Sequence, residues 1–206
     1  MKLFFKKITP ALTLVGLVVL LIVMIAFISS IWPSQENYFI ELGILGKNKT
    51  ADAYFSNLDS IIEVGLQSEW YLYVHNHMDS VQNISLRIKI LNSTMTLPND
   101  NNNEYSPYES FAEFPLSLSV NETIFVPFIW GISDIVIQND SVAIKQLIVN
   151  SQICEVDIMN FSDSYFQLVF ELWVYEDSSQ EYKFGWTLEE NISSVSLYVG
   201  FKAISV

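Results

Sequence analysis

From residue 37 onward the chain alternates apolar and polar residues with a period of two, segment after segment, and that period belongs to β-strands. In residues 83–91, Ile84, Leu86, Ile88 and Ile90 fall on one face, and Asn83, Ser85, Arg87 and Lys89 on the other. Trp70, Leu72 and Val74 alternate with Glu69, Tyr71, Tyr73 and His75. Phe114, Leu116, Leu118 and Val120 share a face, as do Val195, Leu197, Val199 and Phe201. The run Phe166, Leu168, Phe170, Leu172, Val174 is apolar on one side and mixed on the other (Val169, Glu171, Trp173), which fits a central strand. Turn residues separate these runs at 76–79, 120–122, 138–140 and 189–191. Only residues 141–149 are ambiguous between helix and strand. About eight to ten short strands joined in this way predict two packed antiparallel sheets, an all-β immunoglobulin-like sandwich over residues 37–206.

The start of the chain obeys a different rule. Residues 11–32 carry no charge, and 22 residues of helix span about 33 Å, enough to cross a hydrocarbon core of about 30 Å. Lys2, Lys6 and Lys7 precede this run, and the next basic residue is Lys47. The positive-inside bias therefore predicts a cytoplasmic basic tail at 1–10 and a single-pass transmembrane signal-anchor helix at 11–32. Trp32 suits the outer interface, Pro33 stops the helix, and 33–36 form a short linker to an extracellular domain at the cell membrane. A cleavable signal peptide would have an apolar stretch of about 7–15 residues and a small-x-small site, for which Phe27-Ile28-Ser29-Ser30 is a poor substitute. A pilin-like filament subunit is an alternative, since Lys7-Ile8-Thr9-Pro10 before an apolar run resembles an archaeal pilin start.

Beyond residue 32 there are 23 acidic and seven basic residues, a balance of −16 that repels phosphate backbones and excludes nucleic acid as a partner. Cys154 is the only cysteine, so no intrachain disulfide can form and stability must come from the core. Asn-x-Ser/Thr sequons occur at Asn48, Asn83, Asn92, Asn121, Asn139, Asn160 and Asn191. Composition alone predicts about two, and the excess predicts an extracytoplasmic glycoprotein.

The sequence carries no catalytic pattern. Gly131-Ile132-Ser133-Asp134-Ile135 fails the nucleophile elbow at its last position, and no zinc or phosphate-loop pattern is present. His75 and His77 have a spacing that could ligate a metal with Asp79 or Glu69, but exposed strand-end histidines are the simpler reading. Asp100-Asn101-Asn102-Asn103-Glu104 resembles a calcium loop, yet Tyr105 stands where the turn glycine belongs. No catalytic residue, metal ligand or cofactor is therefore predicted; a surface hydrolase with paired carboxylates is the rival class. Residues 96–110 lack periodicity and read as a mobile surface loop. The candidate contact surface consists of Tyr71, Tyr73 and His75 on an outward sheet face, with Tyr105 and Tyr108 in that loop.

Several stretches carry a resemblance: NYFIELGILG (37–46), YLYVHNH (71–77), LPN (97–99), Glu122-Thr123 and FELWVY (170–175). With these the chain resembles an uncharacterised archaeal family of membrane-anchored surface proteins with an extracellular domain of unknown function. It departs from that family where Lys47 follows Gly46, and where the closing strand reads Leu197-Tyr198-Val199 without a tryptophan. The resemblance implies an archaeal surface protein and no reaction. The expected role is non-enzymatic binding or structure at the cell surface, toward a cell-wall lattice or another membrane protein.

Overall fold

The computed structural model describes residues 18–24, 38–55, 60–138, 141–160, 164–188 and 191–204. The chain divides into two compact units, Met1–Asn37 and Tyr38–Val206. In the first, residues 18–24 are helical with exposed apolar side chains. Among the described residues no helix is long and apolar enough to cross a membrane. The rest of the 11–32 segment, the 1–10 tail and the 33–36 linker lie outside the described residues.

The second unit is all-β. Its strands are β1 (Ile40–Leu45), β2 (Ile61–Glu63), β3 (Gln67–Asn76), β4 (Gln82–Asn92), β5 (Ala112–Leu118) and β6 (Thr123–Gln138). They continue as β7 (Ser141–Val149), β8 (Gln152–Asn160), β9 (Tyr165–Glu176), β10 (Glu181–Phe184), β11 (Trp186–Leu188), β12 (Asn191–Ser193) and β13 (Ser196–Ile204). One sheet has the order β1-β3-β6-β7-β8; the other has β2-β13-β9-β4-β5, with β10 also on β9. Strands β11 and β12 form a separate ribbon. Pairing between neighbours is antiparallel except between β13 and β2.

The alternating residues face where the period places them. Trp70, Leu72, Val74, Phe128 and Trp130 of the five-stranded sheet are buried against Ile84, Leu86, Phe166, Phe170 and Phe201 of the six-stranded sheet. Ring centroids meet across the sandwich at 5.6 Å for Phe128–Phe170 and 5.2 Å for Trp130–Phe201. Such edge-on contacts are favourable between aromatic quadrupoles, and each ring also removes a large apolar area from water. Strand β9 lies between β13 and β4, the central place its two-sided apolar pattern indicated.

Residues 141–149 form a strand, and a bulge between Ile144 and Gln146 explains their ambiguity. The extra residue moves the buried positions from Val142 and Ile144 to Leu147 and Val149, and the three-residue gap imitates helical spacing. Val120 does not join the Phe114–Leu118 face: β5 ends at Leu118 and Val120 is 52 % exposed, beside Asn121 in the left-handed region at φ 60°.

Residues 96–110 are not the mobile loop that their lack of periodicity suggests. Rather than hanging free, this segment is tied to the outward face of the six-stranded sheet. A short 3-10 turn, η1 (Asp100–Asn102), is capped by the Asn99 side chain, which accepts from the Asn101 N–H at 3.2 Å. The Asp100 carboxylate accepts from the Ser196 N–H at 3.0 Å and from its hydroxyl at 2.8 Å. The Ser106 N–H donates to Glu171 at 2.7 Å, and Tyr105 packs on Trp173 with centroids 4.9 Å apart. Beneath the segment the Lys89 ammonium meets Glu171 at 2.8 Å, and both side chains are essentially buried.

Candidate functional site

The outward face of the five-stranded sheet carries a row of half-buried and exposed rings. It follows from β3, where burial of Trp70, Leu72 and Val74 turns Tyr71, Tyr73 and His75 outward. Pairing with β1 sets Gly43 opposite Tyr73 and Glu41 opposite His75. Pairing with β6 sets Phe125 opposite Tyr73 and Thr123 opposite His75. The Tyr73 and Phe125 rings meet at 5.6 Å. Gly43 leaves room for this arrangement, since a Cβ there would stand 3.2 Å from Tyr73 Cδ1.

The chemistry of the face is mixed. Lys49 Nζ lies 4.9 Å from the Tyr71 ring centroid and 5.0 Å from that of Phe125, a cation shared between two π faces. The Tyr73 hydroxyl donates to Glu41 at 3.1 Å, and the Tyr71 hydroxyl donates to Glu69 at 3.1 Å. The hydrogen bond to Glu69 pushes the Tyr71 phenol above its ordinary value, and desolvation adds to it. Desolvation chiefly, then the bond to Glu41, raises Tyr73. Both phenols thus stay neutral donors across physiological pH.

Beyond Tyr73 the face ends in a ladder of three rings. His75 stacks on His77 with centroids 3.9 Å apart, and Phe39 stacks on His77 at 4.2 Å. His77 Nε2 approaches Glu41 at 3.5 Å. His75 uses both ring nitrogens: Nε2 faces Asn121 Oδ1 at 3.2 Å and Nδ1 faces the Thr123 hydroxyl at 2.7 Å. An amide oxygen can only accept, so Nε2–H donates to Asn121, while Nδ1 pairs with the Thr123 hydroxyl.

Of the residues singled out from sequence, Tyr71, Tyr73 and His75 are brought together on this face. Tyr105 and Tyr108 are not: Tyr105 belongs to the segment over Trp173, while Tyr108 lines a lateral groove with Ile90, Phe111, Val156 and Ile158. Among the described residues no group of three His, Cys, Asp or Glu side chains is arranged to hold a metal. Sequence reasoning missed Phe39, Lys49 and Phe125. In β6 apolar residues occupy both faces, so alternation gives no sign that Phe125 points out. Cys154 is half-buried, and desolvation pushes its thiol up.

The sequons are not equivalent. Asn48, Asn83 and Asn121 are exposed. Asn92 is half-buried, its amide donating to Met159 O at 2.7 Å. Asn160 is 3 % exposed, and its amide nitrogen donates to Tyr165 O at 2.6 Å. Asn139 and the Asn191 side chain lie outside the described residues.

No protein-family profile matches the chain, and no curated protein matches it. Among solved structures it is similar to the CARDB domain of a Pyrococcus furiosus protein in complex with di-metal ions. That likeness has 10 % identity and a TM-score of 0.39, and covers 82 % of this chain and 90 % of that one. The two-sheet fold stands on the strand pairings themselves.

Proposed function

We propose that this chain is a membrane-anchored extracellular module, an immunoglobulin-like sandwich that binds a partner at the cell surface and catalyses no reaction. The charge-free 11–32 run supports the anchor, and the lysines before it support a cytoplasmic N-terminus. The sequon excess supports the outside placement of the sandwich.

One observation carries the binding role: Tyr71, Tyr73, Phe125 and Lys49 form a ring-and-cation surface on an open sheet face, with Phe125 39 % exposed. Tyrosines with fixed hydroxyls present apolar area and a donor at low entropic cost, which is why such rings are enriched at recognition surfaces. The outward face of the other sheet is partly covered by residues 99–106. The net charge of −16 beyond residue 32 disfavours polyanions, so the partner is an uncharged or basic surface component, such as a cell-wall lattice protein or a neighbouring membrane protein.

Proximity labelling on intact cells tests this. The parent chain should label a defined set of surface neighbours, and Tyr73→Ala with Phe125→Ala should lose it. Tyr198→Ala, an exposed change on the other sheet, should keep it. Loss in neither variant, or a cytoplasmic neighbour set, would sink the reading.

A further inference from the structure

We infer that Asn121 carries a glycan whose first sugar lies across the His75–His77–Phe39 ladder, so that this sequon is a modification site with its own aromatic bed. The inference rests on reading the outer domain as an extracellular glycoprotein.

His75 is bonded through both ring nitrogens. Its two nitrogens hold the two residues that define the sequon, Asn121 through Oδ1 and Thr123 through Oγ1. With Oδ1 turned to the imidazole, the amide nitrogen, which is the atom a glycan is attached to, points away from that bond. The backbone helps to present it. Asn121 sits in the β5–β6 turn at φ 60°, its N–H donates to Asn76 O at 3.0 Å, and the side chain is exposed. Two of the other described sequons are committed differently: Asn92 and Asn160 spend their amide nitrogens on backbone carbonyls, at 2.7 and 2.6 Å.

The ladder supplies the second half. Phe39 is 38 % exposed at its far end, and the three rings run on from the atom bonded to Asn121. A pyranose has one face lined by C–H bonds; because His77 is already stacked between His75 and Phe39, that face lies across the outward edges of the three rings and removes their remaining surface from water. Its hydroxyls remain in solvent or reach the Glu41 carboxylate, whose side chain is 50 % exposed.

The test uses the full-length chain made in a host with an N-glycosylation pathway and in one without. Glycopeptide mass spectrometry should find sugar on Asn121. The thermal midpoint gained from glycosylation should fall by about 2–4 °C in Asn121→Gln relative to the parent. In a Phe39→Leu background that difference should shrink below half, because the sugar has lost its bed. His77→Gln provides a second background should Phe39→Leu fold poorly. Sugar on other sequons with Asn121 bare overturns the inference and leaves the glycoprotein reading standing. So does an occupied Asn121 whose increment is unchanged in both backgrounds. A protein with no sugar on any sequon overturns both.

Discussion

Lys89 and Glu171 form an ion pair of 2.8 Å on a sheet face that points away from the core, with only 4 % and 0 % of their side chains exposed. Such burial is unusual for a position that alternation assigns to the wet side of a strand. It exists because residues 99–106 lie over the pair and complete its hydrogen bonds. The Ser106 N–H and the Trp173 indole donate to Glu171, at 2.7 and 3.1 Å, and Lys89 donates to Ser106 O. Segment and ion pair are therefore one structural unit.

Removing one member of that unit should cost far more than removing both. Glu171→Leu leaves a buried ammonium without its counter-charge and should destabilise the domain by about 3–5 kcal/mol. Lys89→Met should cost a similar amount. The double variant Lys89→Met with Glu171→Leu should recover most of the loss, since apolar replacements of similar volume avoid the desolvation of two charges. Urea denaturation of the three proteins checks this. Additive losses would show that the pair is not coupled.

The clip at Asp100 should hold the same unit from its other end. Asp100→Ala removes both bonds to Ser196 and should destabilise by about 1–3 kcal/mol. Amide exchange should then accelerate first at Ser106, whose N–H is protected only while the segment stays down. Unchanged exchange at Ser106 would mean that Asp100 does not hold the segment.

What could be read from the chain in advance follows a physical divide. Strand faces were legible wherever one side meets the core and the other meets water, as in β3 and β4, because burial imposes a period of two. That signal fades in β6, which is apolar on both sides, and breaks in β7, where the bulge changes the count. Residues 99–106 were misread because their anchors are non-local: Asp100 is bound to Ser196 and Ser106 to Glu171, and no local pattern encodes partners 96 and 65 positions away. The aromatic face was half legible for the same reason. Tyr71, Tyr73 and His75 share a strand, whereas Phe39, Lys49 and Phe125 join them only through pairing and loop closure.

Gly43 should control the shape of the aromatic face without touching the core. In Gly43→Val the new Cβ would meet the Tyr73 ring near 3.2 Å, and the branched methyl groups would force the ring up and away from Phe125. Since Gly43 does not line the interior and valine favours strands, stability should change by less than about 1 kcal/mol. Labelling of surface neighbours on intact cells should nonetheless fall severalfold, as in Tyr73→Ala. Full retention of the neighbour set would remove Tyr73 from the binding surface.

The two tyrosines on that face should titrate late and for separable reasons. Both phenols are raised above the ordinary value of 10.0, so each holds its proton more tightly in the fold than in the unfolded chain. Linkage then requires that their contribution be fully present below pH 10 and be lost as pH rises through the folded values. For Tyr71 the leading cause is the hydrogen bond to Glu69, so Glu69→Gln should return it most of the way toward 10. For Tyr73 desolvation leads and the bond to Glu41 comes second, so Glu41→Gln should lower it only in part. Phenolate absorbance followed in the two variants separates the cases. Equal shifts in both would contradict the assignment of burial as the larger cause at Tyr73.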